Sequence, residues 1–296
     1  MVIRPRRSVL YMPGSNARAL EKAPTLPADA LILDLEDAVA PEAKALARDQ
    51  VAAAVKAKAF GAREVVIRIN GFETPWGKDD LAAAVASRPD AILLPKVASA
   101  ADLEGLGKRL VDLHAPPALS VWAMIETPRA ILNIAEIAAE ARDALATLRA
   151  LVMGTNDLVR ETRAKFVPGR APLLPYLAFA VAAARAYGLD IVDGVYNDID
   201  DADGFVRECV QGRDLGFDGK TLIHPKQIEP CNAAFSPTEA EVAHAKKIAA
   251  AFDLPENRDR GAIALDGRMV ERLHAEIARR TLALHEAIEA RAAGPG

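Results

Sequence analysis

The chain has 296 residues, 51% hydrophobic, 26% charged and 5% aromatic, a composition that supports a sizeable core and excludes disorder or a collagen-like repeat. Lys plus Arg number 37 against 41 Asp plus Glu, a formal net charge of -4, so no basic excess is available to grip nucleic acid. Two cysteines, Cys209 and Cys231, stand outside any C-x-x-C pair and make no disulfide framework, which points to a reducing, cytoplasmic setting.

The basic start runs into Val9-Leu10-Tyr11-Met12, which Pro13-Gly14 ends too soon for a leader. Charged residues interrupt every Ala-rich stretch, so the roughly 18 apolar residues of a membrane span occur nowhere and no membrane partner is expected.

In chain order, short runs rich in Val, Ile and Leu alternate with longer amphipathic stretches. The runs are residues 8–12, 30–35, 65–69, 91–94, 119–125, 150–153, 190–195 and 220–223. They begin about 30 residues apart, the length of a strand, a helix and two short loops. Helices are expected over 41–60, 100–113, 131–141 and 175–187, the last ended by Gly188. Eight βα units predict an α/β fold, a closed (β/α)8 TIM barrel, over residues 1–235. The competing open doubly wound sheet would want G-x-G-x-x-G after its first strand, where the chain has Pro13-Gly14-Ser15-Asn16.

Residues 236–296 exceed what the barrel needs. Ser236-Pro237-Thr238-Glu239 reads as a capping box opening a helix to about Phe252; a polar loop with Pro255 and Gly261 follows, then an amphipathic helix over 268–290. This helical extension can pack on its own barrel; the reading adopted is a lid or an inter-subunit arm.

Barrel enzymes place their chemistry at the C-terminal ends of the strands. Here those ends carry Tyr11, Asp34-Leu35-Glu36-Asp37, Arg68-Ile69-Asn70, Pro95-Lys96, Glu126-Thr127, Gly154-Thr155-Asn156-Asp157, Asp193-Gly194 and His224-Pro225. Singly, each has a turn, cap or ion-pair explanation. Together they form a ring of acids and bases whose burial is costly unless a ligand or metal uses it. Glu126 and Asp157 close neighbouring strands at about 4.8 Å spacing, within reach of one cation, and two protein carboxylates plus water and substrate suit Mg2+ better than Zn2+. The alternative is that one of them is a general base and no metal binds.

Two patterns are decoys. Gly219-Lys220-Thr221 has Asp214 where a phosphate loop needs Gly, and the acids of 198–204 are out of register for a calcium loop and better explained as a solvated cap of the next helix. No H-x-x-x-H or G-x-S-x-G occurs.

The ordered set Arg7-Ser8-Val9-Leu10-Tyr11-Met12-Pro13-Gly14-Ser15, Asp34-Leu35-Glu36-Asp37-Ala38-Val39, Arg68-Ile69-Asn70, Pro95-Lys96-Val97, Glu126-Thr127 and Gly216-Phe217-Asp218-Gly219-Lys220-Thr221-Leu222-Ile223-His224-Pro225 resembles the citrate lyase β-subunit-like CoA-ester lyases of the HpcH/HpaI aldolase superfamily. Gly154-Thr155-Asn156-Asp157-Leu158 and Val192-Asp193-Gly194-Val195-Tyr196-Asn197 resemble its malyl-CoA lyase and (3S)-malyl-CoA thioesterase branch. The resemblance implies that Glu126 and Asp157 hold Mg2+ and Arg68 binds substrate, with Tyr11, Lys22, Ile223 and His224 lining the CoA-ester site. It also implies a trimer or hexamer whose C-terminal segment closes over the next subunit with an acidic residue, here Glu271 in Met269-Val270-Glu271, one methylene longer than the usual Asp. A basic residue of some relatives is replaced by Asn16, leaving Lys22, with Arg18 nearby, to meet the CoA phosphates.

The activity so implied is Mg2+-dependent cleavage of a 3-hydroxyacyl-CoA such as (S)-malyl-CoA or citramalyl-CoA into acetyl-CoA and an α-keto acid. Arg68 would stabilise the enolate, Glu271 would move its proton and Asp37 would orient water or a base. Two alternatives stay open: thioester hydrolysis to malate and CoA, and a non-catalytic CoA-ester-binding subunit.

Overall fold

The computed structural model describes residues 3–143, 145 and 147–292. Strands β1 (Ser8–Pro13), β2 (Ala30–Asp34), β3 (Glu64–Arg68), β4 (Ala91–Leu94), β5 (Ser120–Ile125), β6 (Leu148–Met153), β7 (Asp190–Asp193) and β8 (Gly219–Leu222) pair in chain order, all parallel, and β8 closes on β1. Every boundary lies within two residues of the sequence expectation. The fold is a closed (β/α)8 barrel, occupying the unit Arg6–Phe235; the chain from Ser236 onward, with the residues before Arg6, forms another unit.

Alternate residues of a strand face opposite sides. In β2, Ala30 and Ile32 join an inner cluster with Val9, Val66, Leu93, Trp122, Met124 and Val192, while Leu31 and Leu33 join the larger cluster shared with the surrounding helices. Both faces are dry, which is why these strands read as unbroken apolar runs. One step further along the inward phase come Tyr11, Asp34, Arg68 and Glu126, so the barrel's own alternation gathers them at its C-terminal mouth. At the opposite end Arg6 pairs with Glu64 (2.7 Å) and Asp190 and lies 5.1 Å over the Trp122 ring, a charged plug beneath the inner apolar cluster.

Within the barrel the helices depart from expectation in two places. The segment after β2 opens as a 3-10 turn, Pro41–Ala43, before the α-helix Lys44–Lys56. The helix after β5 is broken at Asn133, between Pro128–Leu132 and Ile134–Ala139, where the side-chain amide donates to Ala98 O at 2.9 Å. Helix Leu174–Ala186 ends as expected, with Gly188 at φ +70°.

In the C-terminal unit the cap is Thr238, not Ser236: its hydroxyl accepts from Glu241 N and the Glu241 carboxylate accepts in return, opening helix Glu239–Asp253. The expected helical start at 268 is a strand. Strands β9 (Ala262–Leu265) and β10 (Arg268–Glu271) form a hairpin whose turn residues, Asp266 and Gly267, both have positive φ; helix Arg272–Ala292 follows. Phe252, Ile263, Val270, Ala275 and Ala278 make this unit's small core. No helix of the described residues is long and apolar enough to cross a membrane.

Candidate active site

The mouth of the barrel is built around Arg68. Buried Asp34 accepts its Nε at 2.7 Å and its Nη2 at 2.5 Å, a two-pronged clamp. The same two carboxylate oxygens accept the backbone N–H groups of Glu36 (2.9 Å) and Ala38 (3.1 Å), so Asp34 also shapes the loop after β2. Nη1 then lies 2.9 Å from Glu36 Oε2 and 3.4 Å from Asp37 Oδ2, and the guanidinium stacks 4.9 Å over the Tyr11 ring. Burial works to lower the Arg68 pKa, but Asp34, Tyr11 and Glu36 outweigh it and raise it, so the charge is permanent. Lys44 ties the loop down from below, donating to Leu35 O (2.8 Å), Glu36 O (2.7 Å) and Asn70 Oδ1 (2.8 Å).

Burial pushes the Glu36 carboxyl up, aided by Asp37, against the pull of Arg68 and Lys96. Asp37 is held down: burial works to raise it, and Arg68 with its neighbouring donors and cations prevails. Tyr11 is raised by its burial, so its phenol stays protonated.

On the other side of the mouth, Glu126 Oε1 accepts the backbone N–H of Lys96 at 2.6 Å, while Oε2 is buried with no hydrogen-bond partner. Burial, then the Glu36 carboxylate, pushes Glu126 up to about 8, with Asp157 adding to the rise. Lys96 follows β4 in the left-handed region, φ +53°, a conformation that costs a non-glycine residue on the order of 1–3 kcal/mol. Its Nζ reaches Glu36 Oε1 at 2.9 Å.

Asp157 does not close β6 itself; it sits in the first turn of helix Thr155–Thr162, where the helix N-terminus favours a negative charge. It pairs there with Arg160. Gly154, between strand and helix, has no side chain because Glu126 fills that space: a Cβ would lie 2.4 Å from Glu126 Cβ and 2.9 Å from its Oε2.

Tyr11, Asp37, Arg68, Asp157 and Ile223 line one cavity of about 140 Å³ at the mouth, together with Met124. Glu126, Lys22 and His224 are not among its lining residues; Glu126 packs against Gly154, which is. Lys22 is exposed in the last turn of helix Ala17–Lys22, which Asn16 caps by accepting Ala19 N, and this is the local use of the residue that replaces a base. His224 Nδ1 accepts Lys226 N at 3.1 Å in the turn after β8. Glu271 ends β10 in the C-terminal unit, its N–H donating to His274 Nδ1 at 2.9 Å.

A larger cavity of about 750 Å³ adjoins the first, sharing Thr155 and Val195 with it. The two asparagines near this shared wall, Asn156 and Asn197, exchange side-chain hydrogen bonds at 3.1 and 2.8 Å. Beneath the rim of β7 and β8 lies a charged cluster. Fully buried Lys220 donates to Asp193 (3.1 Å), Glu208 (2.8 Å) and Gly194 O, and Arg170 grips both Asp193 oxygens at 2.8 Å. Lys220 is thus a structural cation rather than part of a phosphate loop. In the calcium-like segment, Asp201 caps helix Ala202–Leu215 by accepting Gly204 N at 2.8 Å, as expected of a solvated cap.

Acids and bases gathered at the C-terminal mouth of a closed parallel barrel define the class as a TIM-barrel enzyme. The chain belongs to the HpcH/HpaI aldolase/citrate lyase family, whose description it matches over residues 7–225. It is 49% identical over 286 residues to a (3S)-malyl-CoA thioesterase of Cereibacter sphaeroides, covering 97% of this chain and 96% of that one. It is 34% identical over 273 residues to the citrate lyase subunit beta of Escherichia coli, covering 90% and 89%. A crystal structure of the protein CitE from Mycobacterium tuberculosis in complex with magnesium, acetoacetate and coenzyme A matches 96% of this chain and 100% of that one, with TM-score 0.75 and 28% identity.

Proposed function

We propose that the protein is a Mg2+-dependent hydrolase of a malyl-CoA-type thioester. The observation that carries this reading is a buried carboxylate oxygen without a partner, Glu126 Oε2, packed against Gly154 of the small cavity that a second carboxylate, Asp157, also lines; burial and then Glu36 push the Glu126 carboxyl up, and Asp157 adds to the rise. A small divalent cation fits this donor set, because it supplies the partner that Oε2 lacks and favours ionised Glu126. Two protein carboxylates would leave the remaining coordination positions to water and substrate. Bound there, Mg2+ supplies a fixed positive charge for the carboxylate and hydroxyl oxygens of the acyl group.

The chain's own residues then have separate tasks. Arg68, clamped by Asp34 and lining the small cavity, stabilises charge developing on the thioester oxygen. Asp37, kept ionised, takes the proton of the attacking water. The water oxygen adds to the carbonyl carbon, the carbon–sulfur bond breaks, the CoA sulfur leaves with the proton, and malate is released. Ile223 presents an apolar edge to the CoA arm, with Lys22 and His224 outside the small cavity for its more distant parts. The C-terminal unit acts as an arm in a homo-oligomer, a trimer or hexamer, bringing Glu271 to a neighbouring copy's cavity as an acid–base group. Neither nucleic acid nor membrane enters this scheme, and a cytoplasmic setting suits the two free cysteines.

The lyase expectation becomes the second reading. The thioesterase relative at 49% identity weighs toward hydrolysis, while the citrate lyase beta relative at 34%, and a guanidinium able to hold an enolate, support carbon–carbon cleavage. Incubation of (S)-malyl-CoA with the protein and Mg2+ separates them. Hydrolysis yields malate and free CoA in equal amounts; acetyl-CoA with matching glyoxylate would replace it by the lyase reading. Absence of any Mg2+-dependent turnover would leave a CoA-ester-binding subunit.

A further inference from the structure

We propose that Lys96 is a positioning residue that sets the two sides of the mouth against each other, its backbone holding Glu126 and its side chain holding Glu36. Four observations meet at this residue. Its φ of +53° departs from what a lysine adopts unforced. That conformation accompanies a short 2.6 Å donation from its N–H to Glu126 Oε1. Its Nζ binds Glu36 Oε1 at 2.9 Å, and the other Glu36 oxygen meets Arg68 Nη1 at 2.9 Å. Glu126, finally, keeps Oε2 buried without a partner.

The consequence is directional. A carboxylate with one oxygen fixed by a backbone donor has little freedom to rotate, so its second oxygen is pre-set for whatever fills the mouth. Backbone donors do not swing as side chains do, and the left-handed turn after β4 is what aims this one. The side-chain half performs the same service for Glu36, which would otherwise be restrained at its carboxylate by Arg68 and the Asp37 N–H alone. Lys96 touches no reacting atom in this scheme and acts through Glu126 and Glu36.

Two variants separate the halves. Lys96→Gly removes Nζ but accepts positive φ freely, whereas Lys96→Val removes the same charge and its branched Cβ resists that φ. In metal-free crystal structures the glycine variant should retain the N–H contact to Glu126 and release Glu36, and the valine variant should lose both. Mn2+ should bind the valine variant about tenfold or more weaker than the glycine variant, the scale of a lost supporting contact to a metal ligand. Equal Mn2+ affinities, or a valine variant that keeps residue 96 left-handed and Glu126 in place, would overturn the proposal. If the valine variant does not fold, the glycine structure alone decides: a Glu36 carboxylate that keeps its place without Nζ, or loss of the N–H contact to Glu126, contradicts the division of labour. Only the affinity arm rests on the cation reading. A wild-type protein that binds no Mn2+ would sink that reading and leave the crystallographic arm to judge Lys96.

Discussion

At the scale of single residues, Glu126 carries the clearest electrostatic signature. Its carboxyl is pushed from an ordinary 4.5 to about 8 by burial first and by the Glu36 charge second. An acid raised in the folded state is protonated there while it is ionised in the unfolded chain, so the fold binds more protons between those two values and loses stability as pH rises. The metal-free protein should therefore show a falling Tm contribution from this group between pH 4.5 and about 8, and Glu126→Gln should remove it. Thermal unfolding of both proteins in chelator across that range checks this; a Tm difference independent of pH contradicts it. The strand-end reading placed Glu126, Arg68 and Tyr11 correctly because inward phase and strand end coincide in a closed barrel. It gave no role to Asp34 or Glu36, and to Lys96 only an ion pair with a neighbouring carboxylate, which Lys96 makes with Glu36, though all three are strand-end residues. What distinguishes them is which partner each one meets across the mouth: Arg68 on β3 for Asp34, and Glu126 after β5 for Lys96. Spacing along the chain does not encode that.

At the scale of elements, the β5 and β6 ends approach so closely that the junction tolerates only glycine. Gly154→Ala should destabilise the protein by about 1–3 kcal/mol, the usual range for overpacking, because the new Cβ meets Glu126 rather than a yielding side-chain tip. Urea unfolding measures it, and unchanged stability would show that Glu126 is free to move. The eight strands and most helices were legible from apolar runs and their turn residues. The C-terminal hairpin was not read, although Asp266-Gly267 between 262–265 and 268–271 is the two-residue signal for it. The amphipathic pattern over 268–290 masked that signal, since a four-residue strand running directly into a helix offers too few alternations to break a helical period. Asp157 was read one element too early for a similar reason. The chain from Met153 to Asp157 passes from strand to helix without a loop, so its carboxylate is presented by a helix turn rather than by a strand end.

At the scale of the whole molecule, the account assigns Glu271 to a neighbour's cavity in a homo-oligomer. Asp157→Ala and Glu271→Ala should each be inactive alone, and mixed oligomers assembled from both should recover activity, because some sites then combine an intact Asp157 with an intact Glu271 from another chain. Turnover assays on the two variants after dissociation and reassembly together check this. No recovery, with mixed assembly verified, would place Glu271 on its own chain's site or outside the mechanism. Sequence pattern separated the barrel from the extension and left the extension as a lid or an inter-subunit arm; the role of Glu271 came only from the family resemblance, because contacts between copies leave no period in one chain.

The central claim is that Glu126 and Asp157 together hold one divalent cation at the barrel mouth. Anomalous diffraction from crystals soaked in Mn2+ tests it directly. The account predicts a single strong peak within coordination distance of Glu126 Oε2 and an Asp157 oxygen, absent from Glu126→Gln crystals. A peak elsewhere, or one that persists in that variant, would contradict it.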